Sequence, residues 1–268
     1  MGATPIFIDI DPKTFNLDPN LIAAAINEKT KAILPVHIFG QPVDMSRIMQ
    51  LAQQHNLLVI EDCAQSFGAN IGDTITGGIG LAGCHSFFPS KNLGCYGDGG
   101  MVTTNDDSVA DKIKMLRNHG SERRYHHDII GYNSRLDEMQ AAILRVKLRH
   151  ISNFNQQRYR AAQQYSTALR DIVTPPYEDN IGQHVYHQYT LLSPKRDAIM
   201  EYLQQQKIAC AIYYPIPLHQ QNVFIDDYKG INLPVSEEVA SQCLSLPIFP
   251  ELSEAQIDTI TSAIRQAL

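Results

Sequence analysis

The spacing of apolar residues switches repeatedly between the period of a strand and the period of a helix. Ile6-Phe7-Ile8-Asp9-Ile10 predicts a strand almost at the start of the chain. Asp18-Pro19 then supplies a helix N-cap with proline at the first helical position, and Leu21, Ile22, Ala25 and Ile26 form one apolar face. The apolar run from Lys31 to Phe39 predicts the next strand, Asp44 to His55 a helix, and Leu57 to Ile60 a buried strand. Such βαβ alternation predicts an α/β fold whose mainly parallel sheet is covered by helices.

Further along, Met101 to Thr104 reads as a strand and Asp106 to Arg117 as a helix ending near His119-Gly120. Tyr125 to Arg135 reads as a polar, aromatic-rich loop of irregular backbone. Neither Gly nor Pro interrupts Leu136 to Asp171, which predicts one long helix or two abutting ones, and Pro175-Pro176 ends the stretch. Beyond it the pattern predicts a strand over Val185–Leu192, a helix over Arg196–Gln206, a strand over Ala209–Tyr214 and two late helices. Ser253-x-x-Gln256 opens the last of these as a capping box, with Ile257, Ile260 and Ile264 behind it. The expected organisation is a larger part over residues 1–150, then a linking helix and a smaller C-terminal α/β domain over 151–268.

Composition narrows the class. A chain of 268 residues, 44% hydrophobic and 19% charged, can bury a real core. Its net charge of -6, without a run of like charges, argues against nucleic acid, and nothing in the pattern requires a membrane. Five cysteines without a C-x-x-C fit free thiols in a reducing compartment, with the cytoplasm as the expected location. The N-terminus lacks the basic and apolar regions of a signal peptide, and Met1-Gly2 lacks the Ser or Thr at position 6 that myristoylation needs.

Candidate chemistry concentrates in His85 to Gly100, an aromatic run, a proline, one lysine and four glycines within seven residues. Lys91 is either a solvated loop lysine or an amine presented at a site. Asp62, just past the apolar run Leu57–Ile60, marks the carboxyl edge of a parallel strand, where open α/β sheets bind ligands. An amine and a carboxylate at such an edge are the protein's share of pyridoxal-phosphate chemistry: a Schiff-base lysine and an acid that keeps the pyridine nitrogen protonated. Gly78 to Gly83 matches G-x-G-x-x-G, but no buried strand precedes it and no helix follows, so its glycines read as tight turns rather than a dinucleotide site. Adjacent His126 and His127 have only distant His184 and His187 to join them, so no metal site is expected.

The stretches VIEDCAQSFGA, SFFPSKNLGCYGDGGMVTTND, RNHG and GYNSRLDEMQAAIL occur in the order and spacing of the DegT/DnrJ/EryC1/StrS family of nucleotide-sugar aminotransferases. The resemblance runs from about Thr4 to the C-terminus, where YYPIPLH and LSLPIFPELSE also look like family motifs. It implies the aspartate aminotransferase-like, fold type I architecture and pyridoxal 5'-phosphate as cofactor. Lys91 then matches the Schiff-base lysine that also moves the substrate proton, and Asp62 the acid at the pyridine nitrogen. Gln65 matches a contact to the cofactor's 3-hydroxyl and Ser86 a phosphate ligand. Asn133 matches an asparagine that reaches the phosphate of a neighbouring subunit, which implies a homodimer with shared sites. His219, in YYPIPLH, is either near the substrate mouth or structural.

By resemblance, an amino acid, L-glutamate, loads the amine and a nucleotide-linked keto sugar accepts it. Relatives that act as sugar 3-dehydratases carry histidine at the lysine position, so Lys91 favours transamination. The wording of the lysine and YYPIPLH motifs leans toward carbon 3 of a UDP- or dTDP-linked sugar. Family chains also carry a further N-terminal segment with a Gly-Thr phosphate turn and an aromatic residue that stacks on the cofactor ring. The expectation is therefore an N-terminally truncated member with an incomplete large domain, weakly active or inactive alone, the alternative being a non-catalytic binding or regulatory module.

Overall fold

The computed structural model describes residues 2–268. Its opening segment departs from expectation: among the described residues Ile6 to Asp9 pair with no strand, and only a one-residue antiparallel bridge joins Ile10 to Leu17. Phe7 and Ile8 dock instead of pairing, and Ile6 stays exposed. Phe7 packs against Phe224 and Tyr228, with ring centres 5.2 and 4.8 Å away. Buried Asp9 accepts the main-chain hydrogens of Val235 and Ser236 and the Ser236 hydroxyl.

Helix α1 (Pro19–Ala25) is capped by Asp18, whose carboxylate accepts from the Asn20 amide, and it buries Ile22. Strand β1 is short (Ala32–Ile33); beyond it Val36 makes a single parallel bridge to Asp62, and a 3-10 turn over Ile38–Gly40 replaces the expected continuation to Phe39. Helix α2 (Met45–His55) is capped by Asp44 and stopped by Asn56 in the left-handed region. Strand β2 (Leu58–Asp62) extends far enough to include Asp62 itself. The hairpin β3 (Asn70–Ile71) and β4 (Thr74–Ile75) leads to β5 (Ala82–Ser86), and β6 (Gly100–Thr103) returns from the lysine loop. Helix α3 (Asp107–Leu116) is capped by Asp106.

The loop expected from Tyr125 begins inside a bulged hairpin of β7 (Ser121–Arg123) and β8 (His126–His127), whose second strand takes part of it. Two abutting helices follow, α4 (Glu138–Leu148) and α5 (Ile151–Leu169). The remaining elements are β9 (Tyr189–Leu192), α6 (Arg196–Gln205), α7 (Pro234–Gln242), β10 (Cys243–Leu246) and α8 (Glu254–Ala267), the last with the expected capping box. The strand expected over Ala209–Tyr214 reduces to one bridge, Ala211 to Ser245. Pro215 and Pro217 take the chain off that edge, since proline offers no ladder donor.

The sheet runs in the order β1-β2-β5-β6, with β1, β2 and β5 parallel and β6 antiparallel. Helices α1 and α2 close a core of Ile22, Val43, Ile48, Ala52 and Val59 against it. A second core gathers Tyr165, Leu169, Leu191, Leu203, Leu244 and Ile264 around the antiparallel pair β9–β10. All five cysteines are free thiols, and no helix among the described residues is long and apolar enough to cross a membrane.

Candidate active site

The register that pairs Asp62 with Cys84 brings the ends of the parallel strands β2 and β5 together. Asp62 sits at this carboxyl edge, half-buried, with its carboxylate accepting the Ala64 amide at 2.9 Å. Strand β5 ends at Ser86, and the chain folds back on itself at once. The Lys91 amide donates to the Phe88 carbonyl and the Cys95 amide to the Phe87 carbonyl, each at 2.9 Å. A Cβ at Gly94 would lie 2.5 Å from the Pro89 carbonyl oxygen, so only glycine lets the loop close. From α4, the Lys147 ammonium donates to the Gly94 carbonyl at 2.6 Å.

Lys91 is half-buried on this loop. Burial pushes its amine below the ordinary lysine value, and the Asp62 carboxylate pulls the other way. The net effect enlarges the fraction of neutral amine, the form that adds to a carbonyl.

Gln65 is buried and held at both ends. Its Oε1 accepts the Phe39 amide at 2.6 Å and its Nε2 donates to the Tyr214 hydroxyl at 2.8 Å. Phe39 aims that amide from a left-handed conformation, φ 56°. Burial raises the Tyr214 phenol; the Gln65 bond opposes that shift, and Tyr213 and Asp62 add to it. Asp62 thus lies within electrostatic reach of both Lys91 and Tyr214, and Tyr214 is hydrogen-bonded to Gln65. Ser86 lies two residues beyond the partner of Asp62, and its hydroxyl accepts the Phe88 amide at 3.3 Å.

Two other candidates lie apart. Asn133 is exposed, and its backbone bridges to Asn118. His219 is buried in a 3-10 turn over Leu218–Gln220, with Nε2 2.9 Å from the Glu237 carboxylate. In the sequence Tyr214 is legible only as part of YYPIPLH; its partner Gln65 lies so far away that local pattern carries no signal for the contact.

The glycine-rich stretch does hold an anion, but one the chain supplies. Fully buried Glu61 accepts the amides of Gly77, Ile79 and Gly80 at 2.7–2.9 Å and lies 3.1 Å from His37 Nε2. Gly80 can approach because it has no side chain: a Cβ there would meet the Val59 carbonyl oxygen at 2.6 Å. His37 Nδ1 accepts the Val43 amide at 3.1 Å, so the neutral ring carries its proton on Nε2 and donates it to Glu61. Burial pushes the neighbouring Cys63 thiol up to about 12, with the Glu61 charge adding to it. His37, Glu61 and Cys63 lie close enough together to hold a metal ion, yet the ring proton and the filled carboxylate already engage the His37 and Glu61 atoms that would bind it.

Residues 1–265 match the model of the DegT/DnrJ/EryC1/StrS aminotransferase family. The chain is 51% identical over 269 residues to the UDP-N-acetyl-3-dehydro-alpha-D-glucosamine 3-aminotransferase of Acidithiobacillus ferrooxidans, covering 100% of this chain and 73% of the relative. It is 50% identical to a pleiotropic regulatory protein of Geobacillus stearothermophilus, covering 99% of this chain and 73% of that protein. The crystal structure of S. venezuelae DesV in complex with a ketimine intermediate superimposes with a TM-score of 0.95 at 38% identity, covering 99% of this chain and 72% of that one.

Proposed function

We propose, for a chain that belongs to the DegT/DnrJ/EryC1/StrS aminotransferase family and is a pyridoxal-phosphate-dependent enzyme of α/β, fold type I architecture, that it transfers an amino group from L-glutamate to carbon 3 of a UDP- or dTDP-linked keto sugar. Several relatives are named as nucleotide-sugar aminotransferases or transaminases, and the similarity to a UDP-sugar 3-aminotransferase supports carbon 3. The observation that carries the reading is the half-buried Lys91 amine on the loop after β5, depressed by burial and within electrostatic reach of Asp62 at the carboxyl edge of β2.

The donor set fits the cofactor: an amine for its aldehyde, a carboxylate for its ring nitrogen, and an amide donor for a ring oxygen. When bound, pyridoxal phosphate withdraws electrons from the carbon that bears the amine, so that a proton there becomes labile. Lys91 would anchor the aldehyde carbon through Nζ, then, once displaced by the substrate amine, carry the labile proton. Asp62 would hold the proton on the ring nitrogen. Gln65 Nε2 would donate to the ring oxygen, and Ser86 Oγ to the phosphate.

In this reading residues 1–150 form the cofactor-binding part and 151–268 the linking helix and smaller domain. Asn133 serves the site of a second copy in a homodimer; its exposure, beside Ile130 at 96% and Met139 at 74% exposed, supports that role. His219, held by Glu237, is assigned near the substrate mouth on the family resemblance, not on a contact with the Lys91 site. The free thiols support a cytoplasmic enzyme. A non-catalytic module is not favoured, because Asp62, Gln65, Ser86 and Lys91 are all retained.

The test is an absorbance spectrum of the protein with added pyridoxal phosphate, before and after L-glutamate, alongside Lys91→Ala. A visible band that requires Lys91 and bleaches with glutamate is expected, followed by slow formation of an amino sugar when a UDP-linked 3-keto sugar is supplied, in keeping with weak activity of this chain alone. A band that persists in Lys91→Ala overturns the assignment.

A further inference from the structure

Next to Lys91 in sequence, Asn92 is held by bonds that reach across the chain. Its Nδ2 donates to Asn155 Oδ1 on α5 at 2.8 Å and to the Val185 carbonyl at 3.0 Å. Asn155 in turn donates through Nδ2 to the Phe67 carbonyl at 3.0 Å. Two main-chain carbonyls therefore fix which end of each amide is nitrogen, since a carbonyl can only accept. Asn92 Oδ1 is then left facing His187 Nδ1 at 3.2 Å, so buried His187 carries its proton on Nδ1 and donates it.

Nothing in this chain of bonds contacts substrate chemistry directly, and Asn92 is too well satisfied to act as a ligand itself. What it does is fasten the residue beside the reactive amine to α5 and to residues 185–187. We propose that Asn92 is a positioning residue for Lys91, the relay from the Phe67 and Val185 carbonyls through Asn155 and Asn92 to His187 fixing where the lysine amine is delivered. The inference rests on the reading of Lys91 as the cofactor lysine and adds the device that aims it.

The charged groups around the relay agree with this. Lys91 faces Asp62 from β2 and His187 from the segment before β9. Burial brings His187 down to about 3, and the positive charges of Lys91 and, from α5, Arg158 act in the same direction. His187 is therefore neutral across the physiological range and holds Asn92 without setting a second positive charge against the lysine.

The experiment reads Lys91 in the cofactor-free protein. The protein is pulse-labelled with an amine-reactive ester from neutral to alkaline pH, and the Lys91 peptide is followed by mass spectrometry. Asn92→Ala should loosen the loop, admit water to the amine and move its labelling midpoint up toward that of an ordinary lysine. In the loaded enzyme kcat should fall by about 100-fold with KM unchanged, the effect of a reacting group displaced by about an ångström. Asn155→Ala removes one bond of Asn92 at a distance from the amine and should move both readouts the same way by less. It also carries the test if Asn92→Ala does not fold.

Folded variants with a lower Tm but an unchanged Lys91 midpoint and kcat overturn the proposal and leave Asn92 a purely structural residue. Failure of the underlying reading looks different: the visible cofactor band then survives Lys91→Ala, whatever Asn92 does.

Discussion

Gln65 and Tyr214, 149 positions apart, meet through a 2.8 Å hydrogen bond from the Gln65 Nε2 to the Tyr214 hydroxyl. Because the Phe39 amide already occupies Gln65 Oε1, the donor end of the amide has one direction to point, and Tyr214 lies in it. The tyrosine thus sets the resting orientation of a side chain at the proposed cofactor site.

Tyr214→Phe removes the acceptor and keeps the ring. A single hydrogen bond of this kind contributes about 1 kcal/mol, so the Tm should fall by about 2 to 4 °C. Gln65→Ala also strands the Phe39 amide and should fall further. Thermal melts of both single variants and the double variant should be non-additive, since the two residues share one bond.

Glu61→Gln should be among the most damaging single-atom changes in the chain. Burial works to raise the Glu61 carboxyl, but the bonds from His37 and from the amides of Gly77, Gly80 and Ile79 outweigh it and hold it below the ordinary glutamate value. Glutamine would turn an NH2 toward those donors, a loss of about 3 kcal/mol or more. A carboxyl depressed in the folded state contributes stability that is fully present above its unfolded value of about 4.5 and is lost as pH falls through the lower folded value. Urea midpoints of wild type and Glu61→Gln should therefore differ most near neutral pH and converge in acid.

Arg158 is buried on α5 and donates through one nitrogen to the carbonyls of Ile248 at 2.9 Å and Tyr186 at 3.2 Å. Arg158→Ala leaves these acceptors without a donor and should destabilise by about 3 kcal/mol in denaturant unfolding. Arg158→Lys keeps the charge, but its nitrogen ends about one bond short of the donating Arg158 nitrogen, so it should recover only part of the loss. Full recovery by lysine would mean that charge alone, rather than geometry, matters at this position.

Ser253→Ala removes the capping box of α8, where the serine side chain accepts the Gln256 amide and the Gln256 side chain accepts the Ser253 amide. The expected loss is about 1 kcal/mol in thermal unfolding. Nothing in the capping box touches Lys91 or Asp62, so the cofactor band should keep its position and intensity in the folded variant.

Local chemistry explains what the sequence made legible. Asp18, Asp44, Asp106 and Ser253 cap their helices within three residues of their own position, and such signals survive without knowledge of the fold. The lysine loop is legible for the same reason, because its glycines answer to contacts such as Gly94 on Pro89. Ile6 to Ile10 has the apolar content of a strand, yet Phe7 goes to the Phe224 and Tyr228 rings, more than 200 residues away in sequence, and Ile8 to the first core. The fully buried β10 carries no alternation, and Cys243 to Leu246 followed by Pro247 gave no period to read. Asn92, His187 and Tyr214 were hidden because each answers to a partner on another element.

Asn155 and Arg158 stand one helical turn apart on α5. The first is tied to the lysine loop and the carbonyl of Phe67, the second to the carbonyls flanking β9 and β10. A single rigid rod therefore grips both halves of the molecule from one face. Fraying of that rod would release the lysine loop and the second core together, so their slowest amide protons should exchange with solvent in one shared opening event. If Asn92 aims Lys91 as proposed, the aim of that amine depends on the stiffness of α5.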